Sequence, residues 1–228
     1  MKLKLDTLLT MLLVVCALVT TGLLARREIG SKLSSSTNAV AEKPIFIQSW
    51  RSALEEGARL GPTDAPVHLI EFADFECPFC GDFYKRLREL RRRYPTQVAL
   101  TFIHFPLPGH RFALPAARVA ECAGDQGRFE SMYDQLFEGQ GFFGLKSWDE
   151  YAAGAGVPDL GTFDACIKKT DEMRRVEDGK ALGTKLDVRG TPTLIVNGWK
   201  LPLPPTVEEL DGMVKAVLAG KSPISGRT

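Results

Sequence analysis

The sequence carries almost no net charge and lacks the patterns that bind nucleotides or metals. Its 29 Lys and Arg residues balance 28 Asp and Glu residues, giving a formal net charge of +1, so nothing indicates nucleic acid or an acidic partner. It contains no glycine-rich phosphate loop, which excludes the nucleotide-binding classes. Its three histidines do not form metal-ligand spacing. Zinc at Cys77 and Cys80 would require a second close cysteine pair. The other candidates, Cys122 and Cys166, lie far apart in the chain, so no metal site is expected.

Two cysteines separated by two residues are the most informative feature of the chain. They follow an apolar, strand-like segment at residues 67–75 and begin an amphipathic, helix-like segment. A strand followed by Cys-x-x-Cys at a helix N-terminus is typical of a redox motif. Cys77 would face the unpaired N–H groups and the positive end of that helix, which should lower its pKa to between about 3.5 and 7.5. We therefore expect Cys77 to be the nucleophile and Cys80 the resolving thiol, with Pro78 at the first helical position.

The N-terminus predicts a membrane anchor. The segment from Thr7 to Ala25 carries no charge, and its 19 residues are enough for a transmembrane helix. The alternative is a cleaved signal peptide, but residues 21–26 do not match a small-x-small cleavage site. We interpret residues 1–25 as an uncleaved anchor that contains Cys16, and residues 26–43, which are rich in small polar residues, as a flexible linker.

The remaining cysteines indicate the compartment. Apart from Cys16 there are four, an even number, in a chain with an export-type N-terminus, which suggests an oxidising environment. The redox motif accounts for Cys77 and Cys80, leaving Cys122 and Cys166 as a structural disulfide. Such a bond would be worth about 4 kcal/mol in the chain-entropy model. The alternative is two ordinary buried thiols.

The order of predicted elements indicates a mixed α/β sheet with helices on both faces. The elements are a helix within residues 48–59, strands at 67–75 and 97–105, helices at 78–94, 113–123, 128–137, 148–155 and 163–186, strands at 193–196 and 199–203, and a helix at 207–218. The helical stretch at about 110–187 is too long for one crossover and is predicted to be an insertion. The globular domain would span residues 44–219, and residues 220–228 are predicted to form a disordered tail.

Four segments of the sequence, taken together, resemble those of a known protein family. They are the turn at residues 75–80, the segment at 104–110, the run at 122–129, and the Gly-Thr-Pro-Thr sequence at 190–193. Together they resemble the DsbA family of thioredoxin-fold oxidoreductases, specifically its membrane-anchored, BdbD-like branch, over roughly residues 44–218. The resemblance implies a thioredoxin-like fold with a mixed β-sheet and a helical insertion before a cis-proline loop.

The resemblance also implies residues that bind substrate. Thr191 would precede a cis proline, Pro192, that lies against the active-site disulfide, and its backbone would pair with a substrate chain as a short added strand. Pro78 and Phe79 would complete the substrate-binding surface. The alternative is an ordinary trans proline at the start of a strand.

Glu71 is predicted to be a third catalytic residue. It shares strand parity with apolar neighbours and should lie on a buried face. A buried carboxyl has a raised pKa and can carry a proton to or from Cys80, and the related proteins place such an acid six residues before the first cysteine. The alternative is a strand-end glutamate that reaches solvent. Asp74 and Glu76 are expected to be exposed, and His110 is expected to cap the following helix.

These features predict an extracytoplasmic, membrane-tethered thiol–disulfide oxidoreductase. It would donate its Cys77–Cys80 disulfide, through a mixed disulfide, to exported substrate proteins with free thiols. This disulfide takes the place of a cofactor, and a membrane redox partner would reoxidise it on the periplasmic or extracellular face; no nucleic-acid partner is expected. The alternatives are a disulfide reductase or isomerase on the same scaffold, and a non-catalytic, membrane-tethered binding or chaperone module.

Overall fold

The computed structural model describes Val15, residues 18–20 and residues 43–225. The chain divides into two units, residues 1–42 and residues 43–228. In the first unit the described residues are helical. The rest of the predicted anchor, Cys16 and the predicted linker before residue 43 lie outside the described residues. No helix in the described part of the chain is long and apolar enough to cross a membrane.

A six-stranded mixed sheet is the framework of residues 43–225. Its strands are β1 (Ile45–Phe46), β2 (Ala58–Leu60), β3 (Val67–Ala73), β4 (Val98–His104), β5 (Thr193–Val196) and β6 (Trp199–Lys200). Their order across the sheet is β1-β6-β5-β3-β4-β2. Strand β3 runs parallel to β4 and antiparallel to β5, so the sheet is mixed, as the sequence predicts.

Helices cover both faces of this sheet. They are α1 (Ala53–Glu56), α2 (Pro78–Arg93), α3 (Ala113–Gly124), α4 (Phe129–Glu138), α5 (Trp148–Gly154), α6 (Leu160–Ile167), α7 (Arg174–Lys185) and α8 (Val207–Leu218). The larger apolar core contains side chains of α2 to α6 and of α8, whereas the smaller one joins β3, β4 and β5 to α1, α7 and the short 3-10 helix Trp50–Ser52. The predicted helical insertion therefore corresponds to α3 to α7.

Successive side chains of β3 point alternately into the two apolar cores. Ile70 and Phe72 lie in the smaller core, whereas Leu69 and Ala73 lie in the larger one. Successive side chains of a strand point to opposite faces. Glu71 therefore faces the larger core, which also contains both cysteines of the redox motif.

One prediction about the fold is wrong, and two are refined. The short helix predicted within residues 48–59 is present as the 3-10 helix Trp50–Ser52 and α1, and residues 58–60 after it pair antiparallel with β4 as strand β2. The stretch at 163–186 is largely helical, as predicted, but its helices α6 and α7 are separated by residues 168–173, where Arg118 of α3 hydrogen-bonds Asp171. The tail, predicted to be disordered from residue 220, is instead ordered as far as residue 225: Pro223 is buried and Ile224 packs against the larger core.

Candidate active site

The Cys-x-x-Cys turn joins the end of β3 to the first turn of α2. Cys77 is the N-cap residue, with extended backbone angles (φ −69°, ψ 119°), and Pro78 follows at the start of the helix, where its missing N–H costs nothing. The carbonyl oxygen of Cys77 accepts hydrogen bonds from the N–H groups of Cys80 (3.0 Å) and Gly81 (3.1 Å). The strand–turn–helix arrangement thus matches the one predicted from the sequence.

The two thiols of the turn are free and differ sharply in acidity. Both are buried. The hydrogen bond from the Cys80 thiol, assisted by the backbone N–H groups of Cys80 and Phe79, lowers the pKa of Cys77 from 9.0 to about 5 against the opposing effect of burial. Burial raises the pKa of Cys80. At neutral pH the pair therefore consists of a Cys77 thiolate and a protonated Cys80, the division expected of a nucleophile and a resolving thiol.

The cis-proline loop forms the opposite wall of the site. The Thr191–Pro192 peptide bond is cis, and the Cys77 Sγ lies 3.4 Å from the Thr191 carbonyl oxygen. Antiparallel pairing of β5 with β3 brings this loop to the turn. Pro78 is exposed, and the Phe79 side chain is 71% exposed. Thr191 therefore lies directly beside the Cys77 sulfur and Pro192 follows it in the loop, while Pro78 and Phe79 are the exposed residues of the turn.

Glu71 is buried beneath the turn, so the solvent-exposed alternative is wrong. The residue is 0% exposed, and burial, assisted by the negative charge of Cys77, raises the pKa of Glu71 from 4.5 to about 8. Neither of its carboxyl oxygens has a hydrogen-bond partner among the described residues, and neither has the buried Tyr133 hydroxyl. The Tyr133 hydroxyl nevertheless opposes this rise in the pKa of Glu71. A protonated carboxyl of this kind suits proton transfer near neutral pH.

Asp74, predicted to be exposed, is buried at 2% exposure. Its carboxylate accepts hydrogen bonds from the N–H groups of Glu76 and Leu107, each at 2.8 Å, and lies 2.6 Å from His110 Nδ1. This hydrogen bond, with the charge of Asp74, raises the pKa of His110. His110 therefore does not cap α3, whose N-cap residue is Phe112. The turn after β3 is tied instead to the loop after β4.

Glu76 adds a second tie to the same loop. It is half-buried, so its predicted exposure is only partly correct. Its carboxylate accepts a hydrogen bond from the N–H of Phe112. The carboxylates of Asp74 and Glu76, next to the redox motif, therefore hold backbone N–H groups in place. The same hydrogen bonds satisfy polar groups that burial removes from water.

Gln140 is a residue of the site that sequence reasoning missed. It begins the short 3-10 helix Gln140–Phe142, which follows α4. Its Nε2 donates hydrogen bonds to the carbonyl oxygens of Phe75 (2.7 Å) and Cys77 (2.8 Å). No local pattern could have found it, because Gln140 stands 63 residues after Cys77 and only the folding of the insertion brings them together.

Cys122 and Cys166 form a disulfide away from the turn. Their sulfurs are 1.97 Å apart and their Cα atoms 5.9 Å apart. The bond joins α3 to α6 and so fastens two helices of the insertion. In the described part of the chain no three His, Cys, Asp or Glu side chains are grouped as metal ligands.

Comparisons with known proteins support the fold and the family. A family model described as Thioredoxin matches residues 53–216. The Na(+)/H(+) antiporter NhaA 1 of Mycolicibacterium gilvum is 37% identical over 141 residues, which cover 60% of this chain and 23% of that protein. The chain thus spans under a quarter of the length of this curated relative.

Two solved structures share the fold. BdbD from Bacillus subtilis (oxidised) has a TM-score of 0.67 and 21% identity, over 78% of this chain and 100% of that one. Alpha-DsbA1 from Wolbachia pipientis has a TM-score of 0.61 and 20% identity, over 75% and 94%. The thioredoxin-like α/β fold, with its mixed sheet and helices, is therefore common to all three.

Proposed function

Because the chain belongs to the thioredoxin family, we propose that it is an extracytoplasmic thiol–disulfide oxidoreductase that oxidises substrate proteins. The observation that carries this proposal is the juxtaposition of Cys77 Sγ with the Thr191 carbonyl, 3.4 Å away, above a buried Cys80. A substrate sulfur can approach Cys77 along this wall, and the backbone of the half-buried Thr191 can pair with the substrate chain.

The reaction would run through a mixed disulfide. A substrate thiolate attacks Cys77 of the Cys77–Cys80 disulfide, and Cys80 leaves with the electron pair. The buried Glu71 gives its proton to this sulfur, whose thiolate is disfavoured by burial. The second substrate thiolate then attacks the substrate sulfur and releases the Cys77 thiolate. The substrate has lost two electrons and gained a disulfide, and the enzyme holds both electrons as a dithiol.

The acidity of Cys77 supports the donor direction. Hydrogen bonds from Cys80 and from backbone N–H groups stabilise its thiolate and bring its pKa to about 5. Stabilising the reduced form makes a dithiol pair more oxidising. The disulfide of the enzyme would therefore pass readily to a substrate.

A redox titration tests this direction. The full chain is equilibrated with glutathione buffers, and the oxidised fraction of the Cys77–Cys80 pair is read by mass spectrometry of alkylated peptides, which separates it from Cys16. We expect a potential near the value of about −120 mV found for DsbA. A potential near the value of about −270 mV of thioredoxin would contradict the donor role.

A disulfide reductase or isomerase is the second candidate, and Glu71 favours it. The interaction between its carboxylate and the Cys77 thiolate is repulsive, since the charge of Cys77 raises the pKa of Glu71. As pH rises through the raised pKa of Glu71, about 8, this repulsion makes the reduced form less stable and the pair less oxidising. The same titration distinguishes the two directions.

Trapping distinguishes any redox enzyme from a non-catalytic binding module. In the Cys80→Ala variant the mixed disulfide cannot be resolved, so covalent adducts with exported proteins should accumulate on Cys77 and disappear on reduction. The matched Cys77→Ala variant should form none. If Cys80→Ala forms no adducts in cells, the thiol–disulfide exchange that we propose does not occur.

We further propose that residues 1–25 anchor the domain to the cell membrane and that a membrane redox partner reoxidises it. The apolar, uncharged run before residue 26 supports the anchor. Membrane fractionation of the full chain and of a chain without residues 1–25 tests this, because only the full chain should sediment with membranes at alkaline pH.

A further inference from the structure

We propose that Gln140 is a positioning residue that holds the backbone of the nucleophile turn in its reactive arrangement. The inference deepens the proposed function, because it rests on Cys77 being the nucleophile. It concerns a side chain that follows α4 within the helical insertion, whereas the other contacts of the turn described above come from the loop after β4 and from the cis-proline loop.

Both donor hydrogens of the Gln140 amide nitrogen are used in contacts with the turn. A glutamine amide nitrogen has two donor hydrogens, and both have acceptors here, the Phe75 carbonyl at 2.7 Å and the Cys77 carbonyl at 2.8 Å. The two carbonyls lie on either side of Glu76 and follow directly from the end of β3. One side chain therefore fixes two peptide planes just where the strand turns into α2.

The first turn of α2 is shaped to admit this amide. A Cβ atom at Gly81 would lie 2.5 Å from Gln140 Oε1, and the next two nearest heavy atoms, at 3.2 and 3.5 Å, also belong to Gln140. Glycine is a poor helix former, and Gly81 has no positive φ that would require it. The space taken by Gln140 is therefore the physical reason for glycine at this position.

The contacts of Gln140 affect the electrostatic stability of the Cys77 thiolate. The Cys77 thiolate is stabilised by the N–H groups of Phe79 and Cys80. These groups follow the Cys77–Pro78 peptide that Gln140 holds, and the Cys80 N–H also donates to the same Cys77 carbonyl at 3.0 Å, so their directions depend on its orientation. Gln140 also places donor hydrogens on two carbonyl oxygens, whose partial negative charges oppose a thiolate. Without the amide, the thiolate should be less stable by about the net contribution of one hydrogen bond, which corresponds to roughly half to one pKa unit.

Alkylation kinetics of the reduced full chain test this expectation. The rate of carbamidomethylation at Cys77 is followed against pH by peptide mass spectrometry, which separates it from Cys16 and Cys80. Gln140→Ala should raise the pKa of Cys77 by roughly half to one unit, so that about three- to tenfold less thiolate is present at acidic pH.

Gln126 supplies a matched control. It too bridges backbone groups within the insertion, donating to the Asp159 carbonyl at 3.0 Å and accepting from the Asp159 N–H at 2.9 Å, but it does not touch the turn. Gln126→Ala should lower stability to urea as Gln140→Ala does and leave the pKa of Cys77 unchanged. If Gln140→Ala also leaves that pKa unchanged, Gln140 is merely structural and the proposal is overturned.

Gly81→Ala gives a second, independent test, which also decides the matter if Gln140→Ala does not fold. The added methyl group should displace the amide and raise the pKa of Cys77 as Gln140→Ala does. In the double variant the methyl group has room, so the pKa should shift no further and the helix should be more stable than in Gln140→Ala alone. Additive pKa shifts, or no shift for Gly81→Ala, would contradict the proposal. These pKa measurements require no substrate, so they test the role of Gln140 even if the protein is found not to oxidise substrate proteins.

Discussion

Replacement of Glu71 by glutamine should stabilise the protein at neutral pH and slow its redox cycle. The pKa of Glu71 rises from 4.5 to about 8 in the folded protein, chiefly because of burial. Between these two values the folded protein keeps the proton and the unfolded chain releases it. Because the folded state binds more protons, the free energy of unfolding falls as pH rises, by about 1.4 kcal/mol per pH unit.

The size of the expected gain in stability follows from the distance between the ordinary pKa of Glu71 and the pH of the measurement. From the ordinary pKa of 4.5 to about pH 7 is roughly 2.5 units, which amounts to about 3 kcal/mol of lost stability. Glutamine is neutral in both states and leaves a buried polar group much like the protonated carboxyl. Glu71→Gln should therefore be more stable than the natural protein by about 3 kcal/mol at pH 7 and equally stable near pH 4.5.

Urea unfolding across this pH range measures the difference. The Cys77–Cys80 pair is kept reduced, because the charge of Cys77 contributes to the raised pKa, and the Cys122–Cys166 bond is kept intact. Glu172→Gln is the control, since Glu172 is exposed in the loop between α6 and α7 and its replacement should change little. If Glu71→Gln is no more stable than the natural protein at pH 7, Glu71 does not hold a proton there.

The same substitution should impair turnover. Glutamine cannot give a proton to Cys80, whose thiolate is disfavoured by burial, so formation of the mixed disulfide should slow on the order of a hundredfold. Stopped-flow mixing of the oxidised protein with a dithiol peptide measures this step. An unchanged rate would mean that another group or solvent carries the proton.

The Cys122–Cys166 disulfide, the His110–Asp74 ion pair and the buried Tyr133 each give a further measurable expectation. Replacing Cys122 and Cys166 together by serine should lower the free energy of unfolding by roughly 2 to 4 kcal/mol, and unchanged urea denaturation would rule out a structural role. The raised pKa of His110 means that its ion pair stabilises the protein fully below about pH 6.5 and less as pH rises through that pKa. His110→Asn should thus be less stable than the natural protein in acid but not in alkali, whereas a constant deficit would exclude the ion pair as the cause. Tyr133→Phe should raise the pKa of the buried glutamate further, shifting the pH profile of unfolding, and Tyr84→Phe should not.

The parts of the fold that the sequence predicts are those set by local physics. The capping box of α8 is an example, because Thr206 and Glu209 hydrogen-bond each other's backbone N–H at 3.2 and 2.8 Å, as their spacing indicates. The redox turn is another, since Pro78 and the apolar strand before it need no distant partner to define it. The parity of β3 likewise places Glu71 in the core before any tertiary contact is known.

The parts that were missed depend on contacts between distant segments. Strand β2 has only three residues, and its pairing with β4 leaves too short an alternation to distinguish it from the end of a helix. Asp74 is buried because Leu107 and His110 fold over it, and an aspartate beside a turn carries no local mark of that. Gln140 reaches the site only after the whole insertion has folded.

The brevity of the outer strands has a consequence for a protein that would handle unfolded chains. The sheet ends in β1, of two residues, and β2, of three. A long, flat edge would offer unpaired backbone groups to any extended chain and invite aggregation. With edges this short, a substrate of the proposed oxidase would find few places to add a strand other than Thr191 beside Cys77. Strand addition elsewhere would be suppressed, so that an incoming chain would dock where its sulfur meets Cys77 and leave once its disulfide is made.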